Sequence, residues 1–299
     1  MKIKIILLSL VLFTSCKDKY SYELNLSMNK TYRQKTIVDM NIEQEINGQG
    51  VNLTTRNAFE ILYKVVHKTD STMLLNAQLN SIYLKIDNPS QSIIFSTNDK
   101  DTTNVFNKIF KNMMNKDFTM EVTKSGEVIR VTKFENIFSK VFDDLPNISE
   151  PQKQSMLANL KQYYGEEAFK NMQLFGNNFY PKEDVALKDK WKSSNYLKNK
   201  DVSLKSSTEM TLKKHKDKYA IITFKGAINT ISKGVTVNPI SLNGTTEGAY
   251  KIIPKTGWLK EATIYQNLKG YTETPVNYGS SSVIKSPIKI DSKITVIGY

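Results

Sequence analysis

The chain has 299 residues, a formal net charge of +13 and a single cysteine. One cysteine excludes an internal disulfide framework, and no apolar run approaches the roughly twenty residues of a membrane-spanning helix. The length permits one large domain or two small ones with a substantial core, and thirteen phenylalanines and fifteen tyrosines supply aromatic material for it.

The chain starts "MKIKIILLSLVLFTSCKDKY". Lys2 and Lys4 precede an apolar run from Ile5 to Phe13, the layout of a secretory signal. As a helix that run covers about 13 Å at ~1.5 Å per residue, too short for a hydrocarbon core of ~30 Å. Small Thr14 and Ser15 then precede Cys16, which resembles a bacterial lipobox, with Phe13 where leucine is usual. The resemblance implies a signal peptide over 1–15, Cys16 as the first mature residue carrying a diacylglyceryl thioether and an acyl chain, and a short tether over 16–21. Two or more chains anchor stably, at about 0.8 kcal/mol per buried methylene. Lys17 stands where an aspartate would retain such a protein in the inner membrane, so the expected location is the outer membrane facing the periplasm, with surface exposure open. The alternatives are an ordinary secretory signal that happens to contain a cysteine, or a buried N-terminal strand with a small free thiol.

Without Lys2 and Lys4 the formal charge is 13 − 2 = +11. The lysines are dispersed and mostly alternate with apolar residues, with no basic arm and no nucleic-acid motif. A solvated lysine-rich surface is expected and nucleic acid is not an expected partner. Near anionic lipid each surface cation contributes about 1 kcal/mol.

The first block after the tether reads as strands. In "YELNLSMN" Leu24, Leu26 and Met28 alternate with polar residues. Val38, Met40, Ile42 and Ile46 share one parity, with Arg33, Lys35, Asp39, Asn41, Glu43 and Glu45 on the other. "NGQG" (47–50) marks a turn. Phe59, Ile61, Tyr63 and Val65 then share a face, and "HKTDS" turns the chain into "TMLLNAQLNSIYLKID". No proline precedes Pro89, as paired central strands require.

The middle, about 101–176, changes period. Val105, Phe106, Ile109, Phe110, Met113 and Met114 form a broad helical face, with Asp101, Thr102 or Thr103 as candidate cap. A hairpin follows with Ser125-Gly126 at its turn. "KFENIFSKVFDDL" is helical again through Phe134, Ile137, Phe138, Val141 and Phe142. Pro146 and Pro151 bracket a loop, and two short helices are expected near 152–164 and 166–175. From about Val185 the chain is β to its end, with hairpins at Lys216-Asp217 and Thr256-Gly257. Trp258, Lys260, Ala262, Ile264 and Leu268 are expected on one parity, and "SPIKIDSKITVIGY" forms a last strand.

The run "KDFTMEVTKSGEVIRVTKFENIFSKV", with "LKDKW" and "PKTGWLKEA" later, resembles an uncharacterised family of Gram-negative bacterial envelope lipoproteins, a domain of unknown function. The resemblance brings no catalytic residues. The expected fold is α+β and predominantly antiparallel β: a single domain over 22–299, with a curved, open, half-barrel-like sheet and the helical middle on its concave face. Two β subdomains bridged by the helices are the alternative. At fold level this is similar to the periplasmic carriers and receptors of lipoproteins, which hold acyl chains between sheet and helices.

Catalytic chemistry finds little support. His67 and His215 fall at hairpin ends without a second ligand at strand or helix spacing, and no "GxSxG" elbow occurs. Asp143-Asp144 and Glu166-Glu167 fit helix-end roles. No metal, cofactor or enzymatic activity is expected. Phe106, Phe110, Met113, Phe138 and Phe142 are candidate lining residues for an apolar ligand, methionine adapting to varied shapes, although core packing explains the same pattern. Two functions follow as expectations. One is a membrane-anchored binding or scaffold domain for a lipid or other apolar ligand; the other is an interaction protein docking an envelope partner at a free sheet edge.

Overall fold

The computed structural model describes residues 18–46, 48–100, 103–145, 148–172, 179–198, 202–233, 239–276 and 283–299. The chain begins with a two-residue strand, β1 (Lys19–Tyr20), then β2 (Thr31–Ile46), β3 (Gln49–Lys68), β4 (Thr72–Asn88) and β5 (Gln91–Ser96). The middle holds α1 (Val105–Met113), β6 (Asp117–Thr123), β7 (Val128–Thr132), a 3-10 helix (Phe134–Phe138), α2 (Glu150–Tyr164) and α3 (Glu166–Met172). Then come β8 (Val185–Ala186), β9 (Lys190–Lys198), β10 (Val202–Lys216), β11 (Tyr219–Lys233), β12 (Ile240–Ile252), β13 (Leu259–Pro275) and β14 (Val283–Gly298).

Among the described residues one antiparallel sheet unites both strand blocks in the order β7-β6-β4-β3-β2-β14-β13-β12-β11-β10-β9, with β5 also on β4. The last strand is central: β14 pairs with β13 on one side and β2 on the other, placing Ile294 opposite Val38 and Val296 opposite Thr36. The sheet is open, since the path runs from β7 to β9 without joining them.

One face of the sheet carries the main core. Phe59, Ile61, Tyr63 and Val65 are all buried there, as their shared parity predicts. They cluster with Met73, Leu75, Met120, Ile222, Phe224, Tyr250 and Val296 from other strands. Residues of the helical middle belong to the same cluster: Ile109, Phe110 and Met113 from α1, and Phe134, Ile137 and Phe138 from the 3-10 helix. Phe118 of β6 meets Phe134 and Phe169 edge-on, each at 5.0 Å between centroids. A second apolar cluster lies further along the same face: Val202, Leu204, Ile228, Leu242, Leu268 and Ile288.

The opposite face is charged. Cross-strand register aligns Arg56, Asp39, Lys293, Tyr265, Glu247, Lys225 and Glu209 in one row. Signs alternate along most of it, and Arg56 meets Asp39 at 3.2 Å and Lys225 meets Glu247 at 3.4 Å. Such exposed pairs contribute little stability. They do show where the dispersed lysines go: a solvated sheet face.

Several local expectations are revised. Tyr22, Leu24 and Leu26 are buried in alternation, but residues 21–27 join no ladder. The segment instead crosses the ends of hairpins. Leu24 N–H donates to Lys124 O (2.7 Å), Asn25 N–H to Thr256 O (2.8 Å) and Asn29 N–H to Val65 O (3.0 Å). Met28 is exposed. Lys19 and Tyr20 pair with Ala186 and Val185, so ordered contacts begin within the segment read as a tether. The cap of α1 is Asn104, whose side chain accepts from the N–H groups of Phe106 and Asn107, one residue beyond the expected choices. "KFENIF" makes a 3-10 turn because Lys133 and Lys140 adopt left-handed φ of 59° and 60° and confine the helix to one short stretch. Pro151 lies in the first turn of α2, where its missing N–H costs nothing. Lys260 is exposed and Leu259 buried, because a bulge between Lys251 and Ile252 shifts the register.

Glycine is needed where strands approach closely. A Cβ on Gly270 would lie 1.7 Å from Ser241 O of the neighbouring strand.

Candidate functional site

A cavity of about 480 Å³ opens on the apolar face, within the ~300–1,000 Å³ of small-ligand sites. Its walls come from both strand blocks. Thr36, Val38 and Phe59 from β2 and β3 face it, as do Met210, Phe224, Tyr250, Ile264 and Ile294 from the main-core side. Leu204, Ile228 and Leu268 extend it toward the second cluster, and Ser194 to Leu197 of β9 bound it at the sheet edge. Strand periodicity builds most of this surface: alternate residues of β2 and of β10 to β13 face it, register aligns those of neighbouring strands, and only the edge strand β9 borders it with consecutive residues.

Between the two apolar clusters lies a polar row. Gln266 is opposite Thr246, Thr246 opposite Gly226, Gly226 opposite Thr208 and Thr208 opposite Ser193. Gln266, Thr246 and Thr208 line the cavity. Thr246 and Thr208 are buried. Gln266 Oε1 accepts from Ser292 Oγ at 3.1 Å. Thr36 is 3 % exposed, lines the cavity, and its Oγ1 has no hydrogen-bond partner among the described residues.

Two charged side chains join the lining, Glu127 of the β6–β7 turn and Lys170 of α3. Glu166 and Glu167 hold the Lys170 ammonium at 2.7 and 3.2 Å, and the Glu166 hydrogen bond raises its pKa, with Glu167 adding to the effect. Burial pushes the Tyr250 phenol up, so that hydroxyl stays neutral at physiological pH.

The sequence-derived candidates take other places. Phe110, Met113 and Phe138 are buried in the main core. Phe106 is exposed and packs on Phe95 at 4.7 Å between centroids. Phe142 is partly buried against the core. None of the five is among the residues lining this cavity. Cys16 lies outside the described residues. The cavity residues were missed because each strand contributes one to four side chains, none in a local motif.

A wider depression of about 650 Å³ lies on the charged face, lined by Asp39, Arg56, Lys85, Asp87, Tyr265 and Asp291 among others. Its charges hold one another: Lys85 meets Asp87 at 2.8 Å and Arg56 meets Asp39. The less open cavity, walled by the buried side chains of two apolar clusters, is therefore the better ligand site.

Asp143 and Asp144 lie in turns after the 3-10 helix. Among the described residues no group of three or more His, Cys, Asp or Glu is placed to hold a metal ion. His215 bonds to Tyr22 Oη through Nδ1 at 2.6 Å, a contact between the N-terminal segment and the β10–β11 hairpin. Among the described residues no helix is long and apolar enough to cross a membrane.

Fold and cavity together define an open antiparallel sheet protein with an apolar, partly polar-striped cavity. The chain belongs to the family of unknown function DUF6263, whose model matches residues 70–259. No curated protein matches it. Among solved structures it is similar to lipovitellin, in a structure described by its lipid–protein interactions, at 10% identity and a TM-score of 0.48 over 91% of this chain. It spans 25% of that lipovitellin chain. It is also similar to an outer membrane channel from Pseudomonas putida F1, at 10% identity and a TM-score of 0.25, covering 92% of this chain and 97% of the channel. The translocator domain of the autotransporter NalP from Neisseria meningitidis aligns at 6% identity and a TM-score of 0.22, covering 92% and 90%.

Proposed function

We propose that this protein is a lipid-anchored envelope protein whose non-catalytic domain holds an apolar ligand in the sheet cavity. The observation that carries the reading is the cavity itself: about 480 Å³, walled by side chains of two apolar clusters. Its lining also supports a sheet that curves around the helical middle. From β3 to β9 is seven strand spacings, about 34 Å in a flat sheet at ~4.8 Å each. Residues of both strands nonetheless border one cavity, together with Lys170 of α3.

The anchor in this reading is Cys16, acylated after removal of residues 1–15, in the outer membrane facing the periplasm. The full-length chain carrying Cys16→Ser, purified without detergent, tests the ligand. Native mass spectrometry and lipid extraction should recover a co-purifying apolar molecule. A ligand-free chain that also takes up no added lipid would sink the carrier reading. Labelled palmitate tests the anchor: the native chain should incorporate it and Cys16→Ser should not.

A second reading rests on β9, where Tyr196 is 63% and Leu197 39% exposed on the strand that ends the sheet among the described residues. An extended segment of another envelope protein would add there as a further strand. Cross-linking from position 196 in intact cells tests it.

A further inference from the structure

The cavity is not uniformly apolar, and its polar points are specific. Thr246 and Thr208 lie on one cross-strand row between two apolar clusters, both buried; the Thr208 hydroxyl donates to Ser193 O at 3.4 Å, which leaves its oxygen as an acceptor. Threonine is common in strands, but valine has the same shape and branching without a hydroxyl to desolvate. Burying a polar group without compensation costs about 1–3 kcal/mol. The Thr36 hydroxyl bears that cost, since it lines the cavity with no partner among the described residues.

The two polar points are separated along the strands. Met40 stands in the same cross-strand row as Ser292, Gln266 and Thr246. Thr36 is four residues from Met40 on β2, about 13 Å along the strand at ~3.3 Å per residue, and Thr246 stands three strand spacings across the sheet, about 14 Å if flat at ~4.8 Å each. Val38, Ile264, Ile294 and Phe224 fill the interval. Charge disfavours an anion as well. Lys170, the one cation among the described lining residues, is already held by Glu166 and Glu167, and Glu127 adds a further carboxylate, so nothing is left to neutralise an acid headgroup.

We infer that the cavity takes a neutral lipid bearing hydrogen-bonding oxygens at two points along an otherwise apolar chain, such as a hydroxyacyl ester. This rests on the carrier reading above and specifies its ligand. One oxygen meets the Thr36 hydroxyl; the other meets the Thr246–Thr208 row, with apolar chain between and beyond.

The test is displacement of a fluorescent lipid from the full-length Cys16→Ser chain by three competitors: methyl stearate, its mid-chain hydroxylated counterpart and free stearate. The hydroxylated ester is expected to displace at about three- to tenfold lower concentration than methyl stearate, the value of one net hydrogen bond. Thr246→Val should bring that ratio close to one, and Thr36→Val should weaken both esters while leaving the ratio. Both variants keep strand propensity, and their unfolding midpoints should not fall, which separates lost recognition from lost fold. Equal displacement by the two esters in the native chain, or an unchanged ratio in Thr246→Val, overturns the inference and leaves the carrier reading standing. Stronger displacement by free stearate overturns its neutrality. Failure of all three competitors overturns both readings.

Discussion

Tyr20 lies flat on His215, the ring centroids 3.6 Å apart and the planes 14° from parallel. Tyr22, two residues on, bonds the same imidazole at 2.6 Å. The N-terminal segment is thus fastened to the tip of the β10–β11 hairpin through one imidazole, a side chain whose charge depends on pH.

That contact gives a pH dependence. Burial lowers the His215 pKa below its ordinary value, the Asp217 carboxylate opposing part of the shift. The folded chain therefore binds this proton less readily than the unfolded chain, and protonation favours unfolding. The stability is fully present above about pH 6.5, the unfolded value, and is lost as pH falls through the lower folded value. The thermal midpoint should drop between pH 7 and pH 5. His215→Asn should be less stable at pH 8, the lost hydrogen bond alone accounting for about 0.5–1.5 kcal/mol, yet show a flatter slope across that window. An equal slope in both proteins would refute the assignment to His215.

Leu24 and Leu26 test whether the N-terminal segment belongs to the domain. They are 1% and 0% exposed, although no ladder holds them. Leu24→Ala should cost about 2–5 kcal/mol in urea unfolding, the range for truncation of a fully buried leucine. Met28→Ala, two turns of alternation later but exposed, should change stability by less than about 0.5 kcal/mol. Similar costs for the two would mean that the segment merely rests on the surface.

These residues also mark what the sequence could and could not disclose. The parity of Leu24 and Leu26 reveals burial, because alternation reports which side faces the core. It says nothing of ladder partners, and here there are none. The strand at 283–298 was legible from Ile288, Ile290, Ile294 and Val296. Its partner Val38 was not, because the pairing of Ile294 with Val38 joins opposite ends of the chain. The cavity depends on such pairings throughout. Thr208, Thr246 and Gln266 look like ordinary strand residues until register sets them side by side. Phe110 and Met113 gave a strong helical signal and are core residues, since apolar periodicity identifies a buried face and not what covers it. Asn104 was hidden among neighbouring Asp and Thr residues with equal capping chemistry.

Gly270 should be intolerant of any side chain. The Cβ of Gly270→Ala would fall 1.7 Å from Ser241 O and 2.8 Å from its carbonyl carbon, and backbone cannot move aside as a side-chain tip can. Overpacking of this kind costs about 1–3 kcal/mol or more. Gly50→Ala, with nothing within 4 Å, is the control and should be neutral. Equal denaturation midpoints for the two variants would show that β12 and β13 are not so closely apposed.

Tyr180 ties the segment before β8 to the β12–β13 turn. Its hydroxyl donates to Gly257 O at 2.6 Å, and both groups are buried. Burial drives this phenol upward in pKa, so it stays a donor across the accessible pH range. The same turn receives the N-terminal segment, where Asn25 N–H donates to Thr256 O. Tyr180→Phe removes the donor, keeps the ring and leaves the Gly257 carbonyl unsatisfied, at a cost of about 1–3 kcal/mol. Because the turn is shared, the loss should extend to the N-terminal segment. Hydrogen exchange at the Asn25 amide should quicken in Tyr180→Phe relative to amides at the centre of β13. A uniform change across the sheet would instead mean that the hydroxyl contributes only to global stability and does not hold the turn on which the segment docks.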